Sequence, residues 1–386
     1  MDCQFGVYLD NHATTPLDPR VYEAMQPYWK HCFGNPHSSD HMHGWQAAEA
    51  LEQARVQISA LVGAKASQVI LTSGATEANN LAIQGICSLI LEGQIKPHDG
   101  RNKIILAQGE HPCVIKSCYY LQKAGFNIVE IPLKRSGLID IERFKKAMDA
   151  QTIMCCLMFA NNEIGTIQPV EELAQFANDK QILFHCDGVQ AVGRIPIHFN
   201  RSGIASLSVS AHKLYGPMGI GALILSRSAR RLCRSIIFGG GQQGDLRSGT
   251  VPLALAVGFG KACELAKLEM AKEQTKLSEL RAALLVGLDQ AGVEYQINGS
   301  MQHRLAGNLN LSFKHIAPEK FLPRLNGLSV STGSACSGMR RASHVLQAIG
   351  HKAHEHTTSL RFGFGRFNTI GDVKKALSIL CNALKD

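Results

Sequence analysis

The sequence predicts an α/β fold, with one large domain around a mainly parallel sheet and a smaller C-terminal α/β domain. Three observations carry this. Short apolar runs alternate with stretches of helical periodicity through the first two thirds of the chain. The pattern changes near Val251, where one long helical tract begins. Finally, 386 residues exceed what a single simple core organises, so a second, smaller unit is expected.

Residues 45–62 place apolar side chains at helical spacing. Val69-Ile70-Leu71 is a β-rich run, and Thr72-Ser-Gly-Ala-Thr-Glu77 leads from it into a second helical stretch, Ala78 to Leu91. This is a strand, glycine turn and helix in succession. Further short apolar runs at 103–107, 127–131, 153–159, 182–186, 204–209 and 220–225 predict strands. Helical patterns at 112–124, 140–149 and 169–180 separate many of them. The long tract runs from Val251 to about Ala291, with Gly258 and Gly260 as expected weak points. The segment Ala306 to Phe313 opens the shorter elements of the C-terminal third. No internal repeat or low-complexity tract appears.

Composition excludes several classes. The chain is 45% apolar and 18% charged, ordinary for a globular protein. No apolar run reaches the roughly 18 residues of a membrane helix. The start, Met-Asp-Cys-Gln-Phe-Gly, lacks the basic and apolar regions of an export signal. None of the twelve cysteines forms a C-x-x-C pair, so no zinc or iron–sulfur site is expected. Several, such as Cys155 and Cys156, sit in apolar runs, as reduced thiols of a cytoplasmic protein do. Part of the +9 formal charge is local, with Arg227, Arg230, Arg231 and Arg234 within eight residues. That cluster reads as a solvated helix face or as a docking patch for an acidic protein or RNA. No nucleic-acid motif accompanies it.

The chemistry concentrates at a few positions. Lys213, in Ser210-Ala-His-Lys213, ends an apolar run among small residues. A desolvated lysine there can form a Schiff base, as a lysine does that holds pyridoxal phosphate. Such a cofactor also needs a phosphate cradle and a carboxylate for its pyridine nitrogen. Ser73-Gly-Ala-Thr76 offers backbone N–H groups at a helix start, or is an ordinary cap. Asp187 ends the run 182–186, as a cofactor partner or a turn aspartate. His111 follows another strand and could stack on a ring or move protons. Cys336 differs from the core cysteines in lying within Ser331-Thr-Gly-Ser-Ala-Cys-Ser-Gly338, ahead of Arg340 and Arg341. That setting suits an exposed reactive thiol or a cysteine buried in a turn.

These stretches, taken together, resemble the cysteine desulfurases of the class V aminotransferase fold, of the nitrogen-fixation and iron–sulfur-cluster type. The segments are Tyr8-Leu-Asp-Asn-His-Ala-Thr-Thr-Pro16, Phe33-Gly-Asn-Pro36, Thr72-Ser-Gly-Ala-Thr-Glu77, Asn161-Asn-Glu-Ile-Gly165, His185-Cys-Asp-Gly-Val-Gln190, Ser210-Ala-His-Lys213, Gly239-Gly-Gly241, Arg247-Ser-Gly-Thr250, Ser334-Ala-Cys336 and Gly365-Arg-Phe367. They run in order over essentially the whole chain. The resemblance implies the fold-type I architecture of pyridoxal-phosphate enzymes, with a seven-stranded sheet. A large domain over 13–262 would bind the cofactor, and 1–12 with 263–386 would form the small domain carrying a cysteine loop near 331–342.

The resemblance also implies roles. Lys213 would hold pyridoxal phosphate as a Schiff base, Asp187 would pair with its pyridine nitrogen, and Gln190 would bond its phenolic oxygen. His111 would stack on the ring. Ala75, Thr76, Ser210 and His212 would hold the phosphate, with Thr250 reaching in from the other subunit of a homodimer. Asn162 would lie beside ring and substrate, and Arg361 would clamp the substrate carboxylate. The implied reaction takes sulfur from L-cysteine. Lys213 moves the α-proton, Cys336 attacks the substrate sulfur, alanine leaves, and the persulfide on Cys336 passes to an acceptor protein.

Two departures from the family pattern bear on that acceptor. The stretch after Cys336, Ser337-Gly-Met-Arg-Arg-Ala-Ser343, is one residue shorter and more basic. The chain also ends at Asp386, without the tail by which housekeeping members dock a cluster scaffold. A dedicated pathway, such as sulfur modification of tRNA, cofactor or DNA, therefore stays open beside iron–sulfur cluster assembly. Selenocysteine lyase activity, or a class V transaminase or lyase without a catalytic thiol, are the alternatives on the same fold.

Overall fold

The computed structural model describes residues 6–91, 101–314, 321–332, 343–351 and 357–384. In chain order, β1 (Val7–Tyr8) leads to α1 (Pro19–Lys30), α2 (Met42–Val62), β2 (Val69–Thr72) and α3 (Ala75–Leu91). Strand and helix then alternate through β3 (Lys103–Ala107), α4 (Pro112–Gln122), β4 (Asn127–Ile131), α5 (Ile141–Ala147), β5 (Thr152–Cys156), α6 (Val170–Asp179) and β6 (Leu183–Asp187). After β7 (Ser206–Ser210), β8 (Gly221–Leu225) and α7 (Arg227–Leu232) comes the long α8 (Leu253–Gln290). The chain continues through β9 (Gln296–Ile297), β10 (Asn308–Lys314), β11 (Leu328–Ser329), α9 (His344–Ala348), β12 (Thr357–Gly363) and α10 (Ile370–Leu384).

Seven strands form the main sheet in the order β2-β8-β7-β6-β5-β3-β4. It is mainly parallel, and β8 alone runs against both of its neighbours. The ten residues between β7 and β8 are too few for a crossover, so β8 returns antiparallel. Helices cover both faces, which is why β3, β7 and β8 are buried at every position. Alternate side chains divide between the faces. Ile105 and Cys155 pack with α2, α6 and the first half of α8, while Ile104 and Met154 pack with α3, α4 and α7.

Helix α8 is 38 residues long and unbroken. Gly258 and Gly260 are therefore not weak points. A Cβ on Gly258 would lie 2.5 Å from Met25 Sδ, and one on Gly260 would lie 2.8 Å from Ala54 Cα. The glycines let α1 and α2 approach α8 closely. Leu253 to Ala266 belong to the main core, and Leu277 to Leu288 belong to a second core with Phe313, Phe362 and Leu380. That second core sits on the antiparallel sheet β12-β10-β9 and on the parallel pair β1-β11.

Among the described residues, no helix is long and apolar enough to cross a membrane. The ten described cysteines are all free. Arg227 and Arg231 lie exposed on α7, with Arg234 exposed just beyond it.

Candidate active site

A cavity of about 410 Å³ opens at the carboxyl edge of the main sheet. That edge is where open α/β sheets place ligands. It is lined by Ala75, Thr76, His111, Asn162, Asp187, Gln190, Ser210, His212, Lys213 and Arg361, ten of the residues singled out from the sequence. A larger cavity, about 1000 Å³, opens at the opposite end of the sheet between Leu183, Ala205 and Leu225, and holds none of these residues. Thr250 is exposed and does not line the cavity of its own chain. Cys336 lies outside the described residues.

Local folding explains each placement. Asp187 and Ser210 are the last residues of β6 and β7, and Lys213 closes the single helical turn that follows Ser210. Lys213 Nζ donates to the main-chain oxygens of His12 and Ala13, both at 2.6 Å. His111 caps the N-terminus of α4, with Pro112 in the first turn, and its Nδ1 accepts from the Cys113 N–H at 3.2 Å. Asp187 is 7% exposed and accepts from Val189 N–H at 3.0 Å and from Asn79 Nδ2 at 2.8 Å. Gln190 Oε1 lies 2.8 Å from His12 Nδ1, and its Nε2 donates to His12 O at 3.0 Å.

At the first turn of α3, Glu77 Oε2 accepts from Ser73 N–H at 2.9 Å, and Arg247 Nε donates to the same carboxylate's Oε1 at 2.9 Å. A helix start leaves its first N–H groups without intrahelical partners, and here those groups belong to the residues around Ala75 and Thr76. Gly221 lets β8 pass close to this turn, since a Cβ on it would lie 2.8 Å from Gly74 Cα. His212 stays neutral, pushed down to about 4 by burial and then by the charge of Lys213.

Arg361, on β12, is 1% exposed. It donates to Asp10 Oδ1 at 2.7 Å, to Ser331 Oγ at 3.1 Å and to Asn162 O at 3.0 Å, and its Nε has no partner among the described residues. Ser331 also exchanges main-chain hydrogen bonds with Arg361, at 2.7 and 3.3 Å. On the far side of the cysteine segment, the Ser343 hydroxyl donates to Glu163, and His344 Nε2 lies 3.0 Å from Glu110 O. Burial pushes Glu163 up and Glu110 up to about 8.

Sequence reasoning missed His12, Asn79, Glu110, Cys113 and Arg194 around this cavity. Asn79 carried a signal, since it stands one helical turn beyond Ala75 and Thr76 in an otherwise apolar face. Cys113 and Arg194 lie two and four residues from His111 and Gln190, and His12 and Glu110 take their setting from chain-distant partners.

The donor set meets three demands at once: N–H groups and hydroxyls for a phosphate, a buried carboxylate at a strand end, and a lysine in the same cavity. These features define an α/β enzyme shaped for a phosphorylated aldehyde cofactor. Residues 7–376 match the family "Aminotransferase class-V". The chain is 42% identical over 374 residues to "Cysteine desulfurase, mitochondrial" of Arabidopsis thaliana, covering 97% of this chain and 81% of that protein. It is 42% identical over 384 residues to "Cysteine desulfurase IscS" of Rickettsia bellii, covering 98% and 92%. Among solved structures, a "NIFS-like protein" superposes with a TM-score of 0.89 at 31% identity, over 98% of this chain and 99% of that one. "SspA in complex with cysteine" superposes at 0.82 and 31%, over 94% and 100%. The chain belongs to the class V aminotransferase family, among its cysteine desulfurases. It is an enzyme, and its cofactor is pyridoxal phosphate.

Proposed function

We propose that the cavity takes sulfur from L-cysteine with Lys213 as the base, Arg361 as the clamp and Cys336 as the first sulfur acceptor. The observation that carries this reading is the buried Arg361, with its unpartnered Nε, in the same cavity as Lys213 and Asp187. A buried guanidinium left one donor short suits an arriving carboxylate.

The residues divide the work. The first turn of α3, Ser210 and His212 would hold the phosphate, and Asp187, at the end of its strand, would pair with the pyridine nitrogen. Thr250, exposed, is offered to a second copy of the chain. Bound pyridoxal phosphate supplies an electron sink beside the substrate's α-carbon. Arg361 fixes the substrate carboxylate, and Asn162 stands beside it with its main-chain oxygen on Arg361. The Lys213 amine, steered by two carbonyls of the 12–13 segment, moves the α-proton. Cys336, as thiolate, forms an S–S bond to the substrate sulfur as the substrate C–S bond breaks. The carbon left behind takes a proton and becomes the methyl group of alanine.

The enzyme works as a homodimer and passes persulfide sulfur to an acceptor protein. Exposed Trp29, Phe33, Met42 and Trp45 around the link between α1 and α2 support a paired surface. Free cysteines throughout the described residues support a cytoplasmic setting.

Borohydride reduction tests the lysine. The peptide holding Lys213 should carry the cofactor, and Lys213→Ala should lose both that adduct and about 10²- to 10⁴-fold in alanine formation. Cofactor fixed to another lysine would move the assignment. Incubation with cysteine should add sulfur mass to the Cys336 peptide, and mass found on Cys113 instead would displace Cys336.

A further inference from the structure

Behind the cavity, a line of polar side chains runs from the sheet to Asp187, used in the proposed function, and to His111, which we propose stacks on the cofactor ring. Ser206 Oγ lies 2.9 Å from His185 Nδ1, and His185 Nε2 lies 2.9 Å from Asn79 Oδ1. Asn79 Nδ2 donates to Asp187 Oδ2 at 2.8 Å and to Cys113 Sγ at 3.1 Å. Cys113 Sγ in turn lies 2.9 Å from His111 Nδ1. His185 and Asn79 are fully buried.

The hydrogens in this line have one consistent arrangement. A carboxylate only accepts, so the Asn79 amide nitrogen faces Asp187 and its oxygen faces His185. His185 must then donate from Nε2, which leaves Nδ1 to accept from the Ser206 hydroxyl. Burial holds His185 neutral, at about 4, in agreement with a single ring hydrogen. At the other end, the Cys113 main-chain N–H already donates to His111 Nδ1, so that nitrogen carries no hydrogen. Burial, followed by the charge of Asp187, pushes the Cys113 thiol up to about 12, so it keeps its hydrogen. The sulfur accepts from Asn79 and from the Thr76 hydroxyl, and can donate that hydrogen to His111 Nδ1. Both hydrogens of the Asn79 amide are thus committed, one to each branch.

We infer that Asn79 and Cys113 are positioning residues: one buried amide orients Asp187 and, through the Cys113 thiol, holds His111 as the neutral tautomer protonated on Nε2. The bearing on catalysis rests on the proposed roles of Asp187 and His111, whereas the hydrogen-bond assignment does not. Among the described residues, the charged or titratable groups facing His111 include Asp187, Lys213, His344 and the Cys113 thiol, with Glu110 preceding it in the chain. Asp187 favours the imidazolium, while burial, Lys213 and His344 oppose it.

The test is nitrogen NMR of the full-length holoenzyme labelled with [15N]histidine. The unaltered protein should show His111 with Nδ1 bare and Nε2 protonated through neutral pH. Cys113→Ala should raise its protonation midpoint by about one pH unit, because a donor to the neutral ring is lost. Cys113→Ser, which keeps an O–H donor, should restore it. Asn79→Ala should raise the midpoint as well and release His185 into a mixture of tautomers. A hydrogen on His111 Nδ1 in the unaltered protein would overturn the inference. So would a midpoint that Cys113→Ala leaves in place, and that pair of cysteine variants decides the matter even where Asn79→Ala does not fold. Absent alanine formation alongside the expected spectra would sink the proposed function alone, and unshifted spectra in an active enzyme would sink this inference alone.

Discussion

Arg361 shows what a single side chain contributes. Its guanidinium touches Asp10, Ser331 and Asn162, so it is held rigidly from three segments before substrate arrives. Preorganisation of this kind matters for a planar, two-point grip on a carboxylate. Arg361→Lys keeps the charge and loses the fork. It should raise KM for cysteine by about 10- to 100-fold, with a smaller change in kcat. Steady-state kinetics reads this directly, and an unchanged KM would place the clamp elsewhere. The legibility of the site follows the same scale. Lys213, Asp187 and Thr76 announced themselves because their settings are local: a strand end, a small-residue turn, a helix start. Asn79 offered only its place one turn beyond Thr76, and Cys113 nothing, because the contacts of Asn79 with Asp187 and Cys113 span 108 and 34 residues.

Elements were legible where both faces of the sheet are covered. Apolar runs in β3 and β8, and the stretch Ile204 to Val209 that leads into and through β7, stand out from polar flanks, so their ends were found to within a residue or two. The two-residue strands β1, β9 and β11 were not found, since pairing with distant chain and not their own pattern creates them. Helix α1 escaped notice although Asp18 caps it and Pro19 opens it. Arg366 ties the cap of α1 to α8 and to the turn at Tyr215. Its guanidinium donates to Asp18 at 2.8 Å and to Glu273 of α8 at 3.0 Å, and it lies 4.3 Å from the Tyr215 ring centre. Removing it leaves Glu273, 13% exposed, with the Tyr215 hydroxyl alone, while Asp18 keeps its pair with Arg20. Arg366→Ala should cost about 2–3 kcal/mol in denaturant unfolding. A loss below about 1 kcal/mol would mean that water replaces it without penalty.

Over the whole molecule, buried titratable groups set opposing pH slopes. His12, His185 and His212 are all pushed down, by burial first. The unfolded chain binds these protons more readily, so stability falls as pH drops below about 6.5. Glu110 and Glu163 are pushed up by burial. Each stays protonated in the fold where the unfolded carboxyl is ionised, so stability falls as pH rises from about 4.5. For Glu110 this loss is complete once pH passes its folded value of about 8. The three histidines outweigh the carboxyls below 6.5, and Glu110 acts without that opposition above it. Maximum stability is therefore expected near pH 6.5, with a decline toward pH 8 of at most roughly 1.4 kcal/mol per unit from Glu110. Glu110→Gln should flatten that decline in chemical unfolding measured across the range. A wild-type curve already flat from pH 6.5 to 8 would mean that Glu110 is ionised in the fold.

The pairing of Ser331 with Arg361 has a consequence for delivery. Cys336 is five residues beyond Ser331, and an extended chain spans at most about 3.6 Å per residue. Its Cα therefore stays within about 18 Å of a point fixed to Arg361, the clamp of the proposed function. Under that proposal, sulfur carried on Cys336 leaves on a leash. A receiving thiol has to enter that sphere, so recipients that keep theirs at the bottom of a deep, narrow recess are excluded by reach before any question of affinity arises.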